Sequence, residues 1–136
     1  MKNRFLISIG AAVFSLIIFS QCSKDDDNNN SDNWAAAVAG TYTGTSQVEC
    51  GPGEPESGSL TFTRTGDKQL TMQGTFGSDT YCLDSLTMNS STTFTIGEYD
   101  GCIAEPATGS GTFTGNSISF LVNYTGWCSF TIQGTK

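Results

Sequence analysis

Between residues 49 and 128 the sequence holds four cysteines, a scatter of carboxylates and a few aromatics, and these are its candidates for chemistry. Histidine is absent, which excludes Ser-His-Asp and Cys-His catalysis together with histidine-ligated metal centres. Neither a Gly-x-Ser-x-Gly elbow nor a Gly-x-x-x-x-Gly-Lys phosphate loop occurs. Cys50, Cys82, Cys102 and Cys128 form an even set without any Cys-x-x-Cys pair. In an exported chain that set reads as two disulfides rather than a zinc site. Hydrolysis would use two rim carboxylates, such as Glu98 and Asp100, and such a pair must stand about 5 to 9 Å apart across a cleft. Glu98, Asp100 and Glu105 lack the spacing of a known calcium loop, so neither a metal nor a cofactor is expected. Beyond residue 33 the bases are Arg64, Lys68 and Lys136, too few to neutralise a phosphate backbone; nucleic acid is not an expected partner.

The elements that must position these residues begin after an address. Lys2 and Arg4 precede an apolar run over residues 5–19, the charged and apolar regions of a secretory signal. That run is shorter than the roughly 20 apolar residues of a membrane span. Residues 24–33 contain only Lys, Asp, Asn and Ser, so they bury nothing that offsets the cost of ordering and read as a solvated tether. The division expected is a signal peptide over 1–21, a lipidated Cys22 with a disordered acidic tether over 22–33, and one β domain over 34–136.

Two short motifs support that division. Phe19-Ser20-Gln21-Cys22 resembles the lipobox of bacterial lipoproteins, in which cleavage before the cysteine is followed by its acylation. Cys22-Ser23-Lys24-Asp25-Asp26-Asp27 resembles the export signal of Bacteroidetes surface lipoproteins. The resemblance implies a lipid anchor in the outer leaflet of the outer membrane, where each buried methylene contributes about 0.8 kcal/mol. Asp84-Ser85-Leu86 likewise resembles the O-glycosylation acceptor of that group.

From Trp34 onward, short runs of Thr, Phe, Tyr, Ile and Leu alternate with Gly, Asn, Ser and Asp at intervals of about ten residues, the signature of an antiparallel barrel or sandwich. The strands expected are 41–50, 59–64, 69–76, 80–87, 92–98, 109–114, 117–124 and 127–134, with a bulge between Leu83 and Leu86 where the alternation slips. A turn of helix at 35–39 is too short to stand alone. Eight strands joined mainly by tight turns predict an all-β, up-and-down antiparallel barrel, because closure removes exposed edges; a β-sandwich is the alternative. Ala39-Gly40-Thr41-Tyr42-Thr43-Gly44 resembles the opening of the calycin or lipocalin-like group, which implies the same barrel.

In that topology the four cysteines and most acids gather at one end, termed upper here, with the long loops; the tether and three bases fall at the lower end. Side-by-side first and last strands favour Cys50–Cys128 and Cys82–Cys102 among three pairings. The phenylalanines are expected to fill the interior. Three functions follow as expectations. The first is a non-enzymatic surface lipoprotein binding an extracellular protein or glycan through a rim of Glu54, Glu56, Tyr81, Glu98, Tyr99, Asp100 and Trp127, since loops on a rigid scaffold carry binding and aromatics stack on sugars or peptides. The second is a lipocalin-like carrier of a small apolar ligand. The third is a hydrolase using Glu98 and Asp100.

Overall fold

The computed structural model describes residues 32–136; the signal segment, Cys22 and nearly all of the tether lie outside the described residues. A short helix, α1 (Trp34–Val38), leads into eight strands: β1 (Gly40–Val48), β2 (Glu56–Arg64), β3 (Gln69–Phe76), β4 (Asp79–Met88), β5 (Thr93–Ile96), β6 (Ala107–Thr114), β7 (Ser117–Tyr124) and β8 (Ser129–Thr135). Every strand pairs antiparallel with its neighbour in sequence, and β1 pairs with β8, so the sheet closes into an up-and-down barrel. The sandwich alternative is thereby excluded.

Alternation drives this closure. Inward positions such as Leu60 and Phe62, Leu70 and Met72, Ile118, Phe120 and Val122 are buried, while the threonines and serines between them mostly face out. Tyr42, Phe62, Phe94, Phe113 and Phe120 interlock in the lower half, with ring centroids 5.1 to 6.3 Å apart. Such spacing belongs to packed aromatic pairs, so rings occupy this part of the interior. The expected bulge is present: Leu70 pairs with Leu86 and Met72 with Leu83, leaving one extra residue on β4 around Asp84 and Ser85.

The five-residue helix matters more than its length implies. Ala35 and Val38 are buried against the barrel, the Ala35 amide donates to the Asp67 carbonyl at 3.0 Å, and the Tyr42 hydroxyl donates to the Val38 carbonyl at 2.8 Å. It closes the lower end beside the tight turns at Gly66, Asn89 and Gly115. Strand limits also shift. β2 starts at Glu56, paired with Ser46, and β5 stops at Ile96. Trp127 belongs to the turn before β8, which Gly126 makes with φ +78°.

Candidate binding site

The upper half of the interior differs from the lower in carrying hydroxyls. Ser46 on β1 and Tyr81 on β4 point inward and share a hydrogen bond of 3.1 Å across the lumen. The Tyr124 hydroxyl on β7 donates to Asp100 Oδ2 at 2.7 Å. Asp100 Oδ1 accepts from the amides of Cys102 at 2.9 Å and Ile103 at 3.4 Å. Burial of a carboxylate is costly unless its oxygens are satisfied, and here both are.

Two expectations about the rim are therefore corrected. Asp100 is fully buried and Tyr81 is 3% exposed; neither is an exposed rim residue. Tyr81 keeps the inward phase of Leu83, and Ser46 meets its polar tip. Asp100 is drawn in because β5 is too short to cover the upper edge of β4. Residues 97–106 cover it instead, through the Leu83–Asp100 bridge, the Gly101 amide on the Cys82 carbonyl at 2.8 Å, and the Cys82–Cys102 disulfide. With Asp100 committed to structure, the proposed hydrolytic pair with Glu98 loses one member. Among the described residues no three Cys, Asp or Glu side chains gather as metal ligands.

Both disulfides sit at this end. Cys50–Cys128 joins the close of β1 to the approach of β8, with Cα atoms 5.5 Å apart; in Cys82–Cys102 they are 5.1 Å apart. Between them lies a hollow of about 360 Å³, walled by Tyr81, Tyr124, Trp127 and Phe130 with Asp79 and Ile103. Tyr81 and Phe130 stand 5.9 Å apart at 77°, Tyr124 and Phe130 5.7 Å at 85°, and Tyr124 and Trp127 6.4 Å at 82°. These rings pack edge to face as those of the lower half do, and the hollow lies along the surface they leave uncovered. Trp127 is 72% exposed. A second hollow of about 300 Å³ adjoins it, sharing Asp79 and Phe130 and adding Ser46, Glu54 and Glu56.

Of the residues expected on the rim, Tyr81 and Trp127 thus meet in the first hollow and Glu54 and Glu56 in the second; Glu98 and Tyr99 are exposed but line neither. Sequence reasoning missed Asp79, Ile103, Tyr124 and Phe130. The alternation that assigns Tyr124 and Phe130 to the interior is correct, but it does not tell the mouth of a barrel from its middle. Two more open grooves, about 470 and 390 Å³, run over the outer face of the sheet among Thr, Ser and Gly positions. They carry no charged side chain.

Charge divides along the barrel axis. Arg64 pairs with Asp67 at 2.6 Å, Lys68 with Asp32 at 3.1 Å, and Lys136 lies over the Tyr42 ring at 5.3 Å, all at the lower end. The upper end keeps Glu49, Glu54, Glu56, Asp79, Glu98, Asp100 and Glu105 without a Lys or Arg among the described residues.

Burial raises the Tyr42, Tyr81 and Tyr124 hydroxyls above their ordinary pKa; for Tyr124 the hydrogen bond and charge of Asp100 add to it, and for Tyr81 burial prevails over the lowering by the Ser46 hydrogen bond, with smaller contributions in the same direction from the charges of Asp79, Glu56 and Asp100. A raised tyrosine pKa means that above pH of about 10 the unfolded chain gives up these protons first, so stability is intact below that pH and falls as pH rises further. Alkaline titration followed at the tyrosinate absorbance and by circular dichroism should show these three hydroxyls ionising together with loss of the β signal. Their ionisation in a still-folded chain would contradict that assignment.

No family description matches the chain, and no curated protein matches it. Similar solved structures share its fold. A redesigned β-barrel, b11L5F_LGL, matches at a TM-score of 0.60 with 16% identity, over 76% of this chain and 95% of its own. Another, mFAP1 bound to DFHBI, matches at 0.57 with 18% identity, over 76% and 99%. A candidate outer membrane protein of Bacteroides fragilis matches at 0.54 with 15% identity, over 77% of this chain and 53% of that longer one. At these identities the likeness shows a shared barrel fold and nothing further; the closure of eight antiparallel strands and the two disulfides are features of this chain itself.

Proposed function

We propose that this chain is an outer-membrane lipoprotein, anchored through Cys22 and facing outward, that binds an extracellular protein or glycan through its upper end without catalysing a reaction. The observation that carries this reading is the polarity of the barrel. The lower end is closed by α1 and receives the tether, while the upper end holds the stapled loops, the uncompensated carboxylates and the aromatic-walled hollow. Cys22 and Asp32 are ten residues apart, a reach of at most about 35 Å. An anchor there presents the upper end away from the membrane. The Bacteroides fragilis neighbour is consistent with such a location.

The carrier alternative keeps one observation in its favour: the hollow at the mouth, and the precedent of a barrel of this architecture bound to DFHBI. Against a ligand deep inside stand the interlocked rings of the lower half.

The test is made on the full chain in its host, labelled with an alkynyl fatty acid. The label is expected on the wild-type chain, in the outer-membrane fraction, with antibody to the barrel reaching it on intact cells. Cys22→Ala is expected to abolish the label and to remove the protein from the outer-membrane fraction and from the cell surface, its signal segment remaining uncleaved. Antibody access to the wild type only after permeabilisation, or an unlabelled variant that still reaches the outer membrane and the cell surface, would sink the reading.

A further inference from the structure

The geometry points to the upper hollow as a site for a small organic cation bearing an alkylated ammonium group, enclosed by the rings of Tyr81, Tyr124, Trp127 and Phe130 beside the Asp79 carboxylate. This rests on the reading of the upper end as the binding end and names the chemical group, free or borne by the extracellular partner, that the hollow takes.

The rings come first. Tyr81 and Tyr124 spend their hydroxyls on Ser46 and Asp100 and are almost fully buried, so they form the floor of the hollow, and the ring surface most open to a ligand is that of Trp127 and the half-buried Phe130. Phe130 stands nearly perpendicular to both, and Trp127 closes the outer side. An aromatic lining attracts alkylated ammonium groups wherever a ring face is open to them, as at the exposed Trp127, because such groups are large and weakly hydrated. The enclosure is also fixed in advance. Cys82–Cys102 holds the loop that supplies Ile103 and Asp100, and Cys50–Cys128 holds the strand approach that carries Trp127.

Charge selects among ligands. Asp79 lies on the wall, Glu54 and Glu56 stand in the adjoining hollow across Phe130, and no Lys or Arg of the described residues is at this end. An anion meets repulsion there. A neutral sugar finds few free partners, since the two tyrosine hydroxyls are taken and Ser78 and Thr80 are the hydroxyls left on the wall. A hard metal ion requires six or more oxygens, and the wall supplies a single carboxylate. An organic cation satisfies rings and carboxylate together. The volume, about 360 Å³, is at the small end of ligand sites.

The experiment titrates the full chain, in non-ionic detergent, with choline and with its neutral isostere 3,3-dimethylbutan-1-ol, following the ligand methyl signal by NMR. Choline is expected to bind at least about tenfold more tightly than the isostere. Trp127→Ala and Asp79→Asn, both at exposed positions, are each expected to weaken choline by about two- to thirty-fold while leaving the circular dichroism unchanged. Equal binding of the isostere would overturn the cation inference and leave an apolar site at the upper end. Absence of choline binding, or indifference to both substitutions, would overturn it as well. The lipoprotein reading fails separately, by the Cys22 experiment.

Discussion

Replacing Cys50 and Cys128 together by serine is expected to lower the unfolding free energy by about 4.5 kcal/mol, and replacing Cys82 and Cys102 together by about 3.3 kcal/mol. The first bond closes a loop of sequence separation 78, the second one of 20, and the entropy removed from the unfolded chain grows with the logarithm of that length. A domain of about a hundred residues has only about 5 to 15 kcal/mol in total, so either loss is large. Urea unfolding of both double variants under non-reducing conditions measures it. The Cys50/Cys128 variant should show the lower midpoint, and in both variants the slope should rise because the unfolded chain, freed of a cross-link, exposes more surface. The reverse order would mean that native contacts of the 97–106 loop, rather than chain entropy, dominate what the disulfides contribute.

The two bonds also divide the labour of the upper end. Cys50–Cys128 acts where β1 meets β8, the one strand pair of the barrel whose partners are distant in sequence. Every other neighbour pair is held close by its own connection. Cys82–Cys102 acts where a strand is missing. β5 covers β4 only from Leu86 to Met88, and the loop fixed by this bond supplies the covering that the strand does not. Loss of the second bond should therefore loosen Asp100, and through it Tyr124, the wall of the hollow. The bond that contributes less to global stability bears more directly on the site.

What was legible in the sequence follows from where its signals are local. Strict alternation in β2, β3, β7 and β8 identifies the strands and their inward faces, and the phase slip between Leu83 and Leu86 identifies the bulge. Tight turns between successive strands imply up-and-down order, and adjacency of the first and last strands favours the disulfides that are present. The rim was harder to read. Whether Asp100 faces water depends on the short reach of β5 and on a tyrosine 24 residues away, neither of which a window of sequence contains. Tyr124 and Phe130 read as core because alternation reports the face of a strand but not the height along it. Alternation places Gly44, Gly74, Gly109 and Gly111 on inward faces, where a missing side chain would leave space. At Gly44, Gly74 and Gly109 the backbone of the adjoining strand takes it up.

Gly74→Ala is accordingly expected to cost about 3 kcal/mol or more of stability. Gly74 lies on β3 opposite Leu60 of β2 and Tyr81 of β4. A methyl group built there would overlap the Ser59 carbonyl oxygen and come within 2.7 Å of the Leu60 Cα. Both are backbone atoms of a paired strand, so no rotamer change relieves the clash. The same collision recurs at Gly44 with the Gln133 carbonyl, at Gly58 with the Thr75 carbonyl and at Gly109 with the Leu121 carbonyl. Four glycines thus mark places where adjacent strands come too close for a side chain, as a sheet bent sharply enough to close around eight strands requires. Gly51→Ala is the control: nothing lies within 4 Å of the added methyl, and the change should stay within about 0.5 kcal/mol. Thermal and urea unfolding of the two variants measure the contrast. If Gly74→Ala were no worse than Gly51→Ala, β2 and β3 could separate there without loss, and closure would rest on the interior rings alone. A large difference places the curvature in the backbone, with the rings packed into a shape the glycines have already made.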